Sequence, residues 1–338
     1  MSTPFGMPGK IDYAAPWWLP GGHTQTILPA LGGRRLHANA TQAYLRERWA
    51  SVGPNGAPDG DFIDVDFLPW VEGAPIVVLF HGLEGSSQSH YALAMMEALA
   101  ARGWNGCIPH FRGCSGELNH LPRAYHSGDS AEIDWVLRRV RETRQPTRLF
   151  AAGISLGGNA LAKWAAEHGH AARAVVSAVA SVSSPLDLAA AGAALGRGFN
   201  MVYTRMFLDT LKKKSLLKLA QHPGMFEVET MLRARDLYEF DNVVTAPLHG
   251  FRDTDDYWAR ASAKPLLREI AVPALLLNAQ NDPFLPARFL PTAADVSSWV
   301  ELEQPATGGH VGFARGALPP GNIAWLPQRL LTFFSAHA

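Results

Sequence analysis

Cysteine is nearly absent: the 338 residues include only Cys107 and Cys114. Two thiols cannot make the disulfide framework of a small secreted domain, and their spacing matches no zinc motif. They read as reduced thiols of a cytoplasmic protein. Excess charge of either sign is absent as well, with 30 basic and 30 acidic residues. That balance removes the electrostatic case for nucleic acid or an anionic membrane surface as a partner. No run approaches the roughly 18 apolar residues of a membrane span, so no integral membrane segment is expected. Met1–Pro8 has neither the charged region nor the apolar stretch of a secretory leader. Internal repeats and low-complexity tracts are missing too. What remains is a chain long enough for two domains, or for one large α/β domain with an insertion.

The most informative stretch is Leu149-Phe150-Ala151-Ala152-Gly153-Ile154-Ser155-Leu156-Gly157-Gly158-Asn159-Ala160. An apolar run leads into Gly153-x-Ser155-x-Gly157, and an alanine-rich helical pattern follows. Strand, Gly-x-Ser-x-Gly and helix in that order form a nucleophile elbow, which holds a serine hydroxyl out at the carboxyl end of a sheet. A Cβ at either glycine would collide with the neighbouring strand or helix. The first amides of the helix point toward whatever the serine attacks. The plainer alternative is a glycine-rich strand-to-helix turn with no chemistry.

Around this stretch, apolar runs alternate with helical patterns. Residues 42–49 and 61–67 alternate polar and apolar positions and read as an antiparallel pair joined through Pro54-Asn55-Gly56 and Asp59-Gly60. Residues 74–80, 105–111, 147–154, 172–182 and 272–279 read as buried strands, with a last strand at 298–302. Helices are expected over 89–101, 129–144 (opened by the capping pattern Asp129-Ser130-Ala131-Glu132), 156–169 and 322–336, with a helical stretch after Phe284. Such alternation predicts an α/β fold, a mostly parallel central sheet with helices on both faces. The alternation breaks between 184 and 263, where the pattern is helical throughout. The expected organisation is therefore an N-terminal arm over 1–40 packed on the core, a core of 41–183 and 264–338, and a helical cap insertion at 184–263. The arm does not read as regular structure beyond a short helix from Thr24. Its Trp17-Trp18 pair suits packing on the domain, with a membrane contact or a substrate path as alternatives. Lys212-Lys213-Lys214 reads as a solvated face, and Asp253, Asp255 and Asp256 as capping or docking groups rather than metal ligands.

Ser155 needs a base, because a serine hydroxyl is a poor nucleophile at its own pKa. In an elbow fold the acid and base follow in the order Ser, Asp or Glu, then His, each just past a strand. Asp282 follows the 272–279 run, and His310 lies in the glycine loop after the last strand. His310 would take the serine proton, and Asp282 would fix the imidazole tautomer. His81, His110, His120 and His126 precede the elbow, His249 lies in the helical insertion, and Asp295 lies away from a strand end. The developing oxyanion would be met by the backbone amides of Leu83 and Leu156. His81 reads as a loop-ordering residue, and Arg112 and Cys114 as structural groups near the site.

On these residues the chain resembles the α/β-hydrolase superfamily, and within it the YheT-like esterase branch, related to eukaryotic α/β-hydrolase-domain lipases. The segments that carry the resemblance are Gly22-His23-Thr24-Gln25-Thr26, His81-Gly82-Leu83-Glu84-Gly85, Phe111-Arg112-Gly113-Cys114-Ser115-Gly116, Tyr125-His126-Ser127-Gly128, the elbow, Asn281-Asp282-Pro283-Phe284 and Gly308-Gly309-His310-Val311-Gly312-Phe313. The resemblance implies hydrolysis of a small-molecule carboxylic ester by Ser155, Asp282 and His310, with neither cofactor nor metal. Eukaryotic relatives carry an N-terminal membrane anchor that is not read here, which favours a soluble esterase for short- to medium-chain acyl groups. An acyltransferase or thioesterase would use the same three residues. A non-catalytic binding protein on this fold is the remaining alternative. A dinucleotide-binding reading lacks its Gly-x-Gly-x-x-Gly turn.

Overall fold

The computed structural model describes residues 12–36, 44–52 and 57–338, with side chains of the first segment described through Gly32. The Met1–Pro8 reading, the start of the strand at 42–43 and the Pro54-Asn55-Gly56 connection lie outside the described residues. Among the described residues, eight strands form one sheet: β1 (Leu45–Val52), β2 (Pro58–Phe67), β3 (Ile76–Phe80), β4 (Asn105–Pro109), β5 (Leu149–Ile154), β6 (Ala178–Val182), β7 (Ala274–Leu277) and β8 (Val300–Glu303). Their spatial order is β1-β2-β4-β3-β5-β6-β7-β8. The β1–β2 and β2–β4 pairs are antiparallel, and every pair from β4 to β8 is parallel.

The apolar runs explain this sheet. In β3 the side chains of Ile76, Val78 and Phe80 join one core cluster, and those of Val77 and Leu79 join the cluster on the opposite face. The first face is covered by α3 (Ser130–Arg144) and α4 (Leu156–His168), the second by α2 (His90–Ala101) and α11 (Trp325–Ser335). A strand covered on both faces has no polar side to alternate with, so it reads as continuous apolar sequence. Asp129 accepts the Glu132 N–H at the start of α3, as the capping pattern predicts.

Four expectations change. The N-terminal segment is a full helix, α1 (Gly21–Leu36), starting on two glycines and containing Pro29. It has little amphipathic character and no acidic first turn, so local signals hide it and tertiary contacts form it. Residues 172–174, expected as the start of a strand, belong instead to a 3₁₀ turn over Gly169–Ala174 before β6, and the stretch after Phe284 holds only short 3₁₀ turns at Ala287–Phe289 and Ala293–Asp295. Trp18 packs on the domain, but Trp17 is 79% exposed with its indole N–H donated to the Ala317 carbonyl.

Between β6 and β7 lie α5 (Leu188–Leu195), α6 (Met201–Gln221), α7 (Val228–Arg233), α8 (Leu237–Val243), α9 (Thr245–Leu248) and α10 (Thr254–Ala261). Asp187, Asp236 and Asp253 cap α5, α8 and α10 by accepting backbone N–H groups. Among the described residues no helix is long and apolar enough to cross a membrane.

The fully buried Asn159, on the helix after the elbow, rivets this helical segment to the sheet. Its amide nitrogen donates to the carbonyls of Ser127 (2.7 Å) and Ala261 (2.8 Å), and its oxygen accepts the Ala263 N–H (3.0 Å). Gly128 is needed beside it, because a Cβ there would lie 2.7 Å from Ala261 Cα. Asn159→Ala orphans three backbone groups at about 1–3 kcal/mol each, so urea unfolding should show a loss of about 3 kcal/mol or more. A loss below about 0.5 kcal/mol would mean that the three groups find other partners.

Candidate active site

The elbow is built by close contact. Ser155 lies between β5 and α4 at φ 54° and ψ −120°, a region that costs a non-glycine residue about 1–3 kcal/mol. Its N–H is held by the Val182 carbonyl of β6 at 2.8 Å. A Cβ on Gly153 would lie 2.5 Å from the Gly157 oxygen, and one on Gly157 would lie 2.5 Å from the His81 oxygen. Gly158, whose role the pentapeptide does not announce, is held as tightly: its Cβ would fall 2.0 Å from Ser184 Oγ. The three glycines let α4, β3 and β6 approach until Ser155 can only point outward.

The loops after β7 and β8 bring Asp282 and His310 to this serine. His310 Nε2 is 3.0 Å from Ser155 Oγ, and His310 Nδ1 is 2.9 Å from Asp282 Oδ2. The carboxylate accepts, so Nδ1 carries the proton and the Nε2 lone pair faces the hydroxyl. Asp282 is 3% exposed, and its other oxygen accepts the Phe284 N–H at 2.8 Å. The Phe284 ring stacks on His310 with centroids 3.9 Å apart, limiting how the imidazole can tilt.

Leu83 and Leu156 line the same cavity as Ser155. Leu156 opens α4, where the first amides have no intrahelical acceptor. Gly82 brings the Leu83 loop against the serine, since a Cβ on it would lie 3.2 Å from Ser155 Cβ. Neither the Leu83 nor the Leu156 N–H has an acceptor among the described residues.

The other histidines are engaged elsewhere. His81 is fully buried, its Nδ1 bonded to the Gly82 carbonyl and its Nε2 accepting the Phe111 N–H; burial pushes its pKa down to about 3. It orders the loop, as expected. His110 bonds Asp66, His120 the Gly60 carbonyl, and His126 packs against His249. Asp295 caps its own 3₁₀ turn through Thr292. Arg112 touches the cavity, but its guanidinium is taken by buried Asp61 and Glu132 at 2.5 and 2.7 Å.

The cavity holds about 180 Å³ and lies between the sheet's carboxyl edge and α5, α6 and α8. Leu188, Leu195, Phe207, Leu211 and Phe240 give it an apolar wall. The lysine run does not form one solvated face. Lys213 is exposed, Lys212 donates to the Leu232 and Ala234 carbonyls, and Lys214 turns inward to Glu84 at 2.8 Å. Glu84 in turn accepts from the Tyr125 hydroxyl at 2.7 Å. Burial works against the Lys214 charge, but Cys114 and Glu84 beside it hold its pKa above the ordinary value. Spacing alone missed this contact, because a triplet of lysines does not say which one faces in. The Trp17-Trp18 pair is not among the residues lining the cavity.

Asp241 also lines the cavity, with burial pushing its carboxyl up to about 6 despite hydrogen bonds from Thr245 and Trp258. A raised folded-state pKa gives stability that is complete below about pH 4 and lost as pH rises through about 6. The expected loss is on the order of 3 kcal/mol, and Asp241→Asn should flatten that window of the urea-stability profile. A variant profile as steep as the wild type's would assign the window to other groups.

A family model described as the alpha/beta hydrolase fold matches residues 75–317. The chain is 38% identical over 323 residues to YheT of Escherichia coli (strain K12), which bears an esterase designation; the match covers 93% of this chain and 90% of that protein. It is 30% identical over 250 residues to phospholipase ABHD3 of Mus musculus, covering 72% of this chain and 60% of that protein. Among solved structures, the Pyrococcus furiosus esterase Pf2001 superposes with a TM-score of 0.53 at 14% identity, over 88% of this chain and 94% of that one, a likeness of fold alone. Sheet order, elbow geometry and these matches agree: the chain belongs to the α/β-hydrolase fold family.

Proposed function

We propose that the chain is a serine hydrolase that cleaves carboxylic esters through an acyl-enzyme. The observation that carries this reading is the alignment of three side chains from three separate strand ends: Ser155 Oγ to His310 Nε2 at 3.0 Å, and His310 Nδ1 to Asp282 Oδ2 at 2.9 Å. Relatives named as an esterase, a phospholipase and a monoacylglycerol lipase support hydrolysis as the reaction class.

In this reading Ser155 Oγ attacks the ester carbonyl as His310 Nε2 takes its proton. The carbonyl oxygen becomes an oxyanion and accepts from the Leu83 and Leu156 amides, each worth about 100- to 1000-fold in rate. Asp282 stays ionised and stabilises the imidazolium. The tetrahedral adduct collapses, the C–O bond to the alcohol breaks, and His310 returns the proton to the departing alkoxide. Water then repeats the sequence against the acyl-serine, and the free acid leaves. In that second half His310 takes a proton from the water and returns it to Ser155 Oγ as the acyl C–O bond breaks, so the free enzyme is restored.

We also read the α5–α10 segment as a cap over the site. Its apolar wall and the modest cavity support short- to medium-chain acyl groups. Ser155→Ala should abolish fluorophosphonate labelling and lower p-nitrophenyl ester turnover by about 10⁴-fold. Asp282→Asn should keep the fold and lose a similar factor, because the wrong tautomer then faces the serine. Turnover should peak along a series of increasing acyl length and fall once the chain outgrows the cavity. Labelling of wild type without turnover on any ester would move the reading to acyl transfer. Absence of labelling in folded wild type would sink it.

A further inference from the structure

The segment Gly22-His23-Thr24-Gln25-Thr26 has no part in the chemistry above, yet it lies against both loops that carry the acid and the base. It also falls outside residues 75–317, so the shared family core does not contain it. We propose that Gln25 and Thr26 are positioning residues of the hydrolytic site, fixing the Asp282 and His310 loops relative to each other through buried side-chain hydrogen bonds. This rests on the reading of Ser155, His310 and Asp282 as a working triad.

The geometry is specific. Gln25 Oε1 accepts from the Gly308 N–H of the base loop at 2.8 Å and from Asn281 Nδ2 of the acid loop at 2.9 Å. Asn281 Oδ1 closes the triangle by accepting the Gly309 N–H at 3.0 Å. Thr26 Oγ1 accepts the N–H of His310 itself at 2.9 Å and donates its own proton to the Gly22 carbonyl at 2.7 Å. Gln25 Nε2 donates to the Leu19 carbonyl at 2.8 Å, and a backbone N–H can only donate, so the amide has one orientation. Leu19 sits in an apolar cluster with Ala94 of α2 and Ile323, which ties the clamp to the body of the domain.

Glycines make the approach possible. A Cβ on Gly22 would lie 2.0 Å from the Asn281 oxygen, and one on Gly312 would lie 1.7 Å from the Gln25 oxygen. Gly309, at φ 61°, would put a Cβ 2.8 Å from the Gly22 oxygen. The first turn of α1 is thus wedged between the two loops, with Gln25 3% and Thr26 7% exposed. Water does not compete for these bonds, so losing one acceptor leaves a buried donor unpaired.

The physical need is clear. Asp282 and His310 ride on separate loops, and the base loop contains Gly308 and Gly309 next to the imidazole. A productive constellation must be held within about 0.5 Å, and a misplacement of about 1 Å costs on the order of 100-fold in rate. A third element that bonds to both loops, and to the histidine's own backbone, sets that register.

The test compares Thr26→Val, Thr26→Ser and Gln25→Leu with wild type on one p-nitrophenyl ester. Each is assayed where circular dichroism shows it folded, and kcat is expressed per site titrated by fluorophosphonate. Thr26→Val and Gln25→Leu should lose about 10- to 100-fold in kcat per titrated site. KM should stay within about threefold, and Thr26→Ser should recover to within about threefold of wild type. Unchanged kcat per titrated site, with only Tm or the titratable fraction reduced, overturns the proposal and leaves a stabilising role. Ser155→Ala serves as the control. If it is dead while the clamp variants keep full kcat, the clamp alone fails; if it keeps full activity, the triad reading fails and the clamp falls with it.

Discussion

At Ser155 the chain is held at φ 54° because the backbones around it leave nowhere else to go. Gly153 faces the start of α4, Gly157 faces the end of β3, and Gly158 faces Ser184 and the Gly153 carbonyl. No side chain, even a methyl group, fits at any of the three. The strain at one serine is offset by packing across three elements, which is how a sparsely populated conformation persists in a stable fold. Every other feature of the site takes its place from that turn: the Leu156 amide at the head of α4, the Gly82-Leu83 loop against the serine, and Asn159 one turn further on.

The parallel sheet then does the gathering. Strands β3, β5, β7 and β8 all run the same way, so the loops after each emerge at one edge. Residues far apart in sequence meet there without any local signal for it: Ser155 with His310, Gly82 with Ser155, Lys214 with Glu84. The helical segment between β6 and β7 supplies the apolar wall, and its tether is polar, through Asn159, Tyr257 and Lys214. Because those polar groups sit at a boundary with little water, each is satisfied by a named partner.

Much of this was legible in the sequence, for physical reasons. Buried parallel strands read as apolar runs, so β3, β5 and β7 appeared within a residue or two of where they lie. Gly-x-Ser-x-Gly was readable because the turn forbids a Cβ, and the meeting of Asp282 and His310 with Ser155 because loops after parallel strands emerge at one edge of the sheet. The stretch 172–177 ahead of β6 was not, since its alanines and valines pass for strand when only apolarity is counted. Helix α1 was hidden for another reason. Its glycines and Pro29 lower helix propensity, and what holds it is contact with loops near residues 281 and 310. The inward turn of Lys214, beside exposed Lys213, depends on helix phase against the sheet, which composition does not carry.

The central claim is that Ser155 is the nucleophile of a hydrolytic triad. The most direct measurement is peptide-mapping mass spectrometry of the fluorophosphonate adduct on the native protein. The account predicts a single adduct per chain, on the peptide that contains Ser155, formed at a rate that falls sharply when His310 is replaced by alanine. An adduct on a different residue, or labelling indifferent to His310, would contradict it.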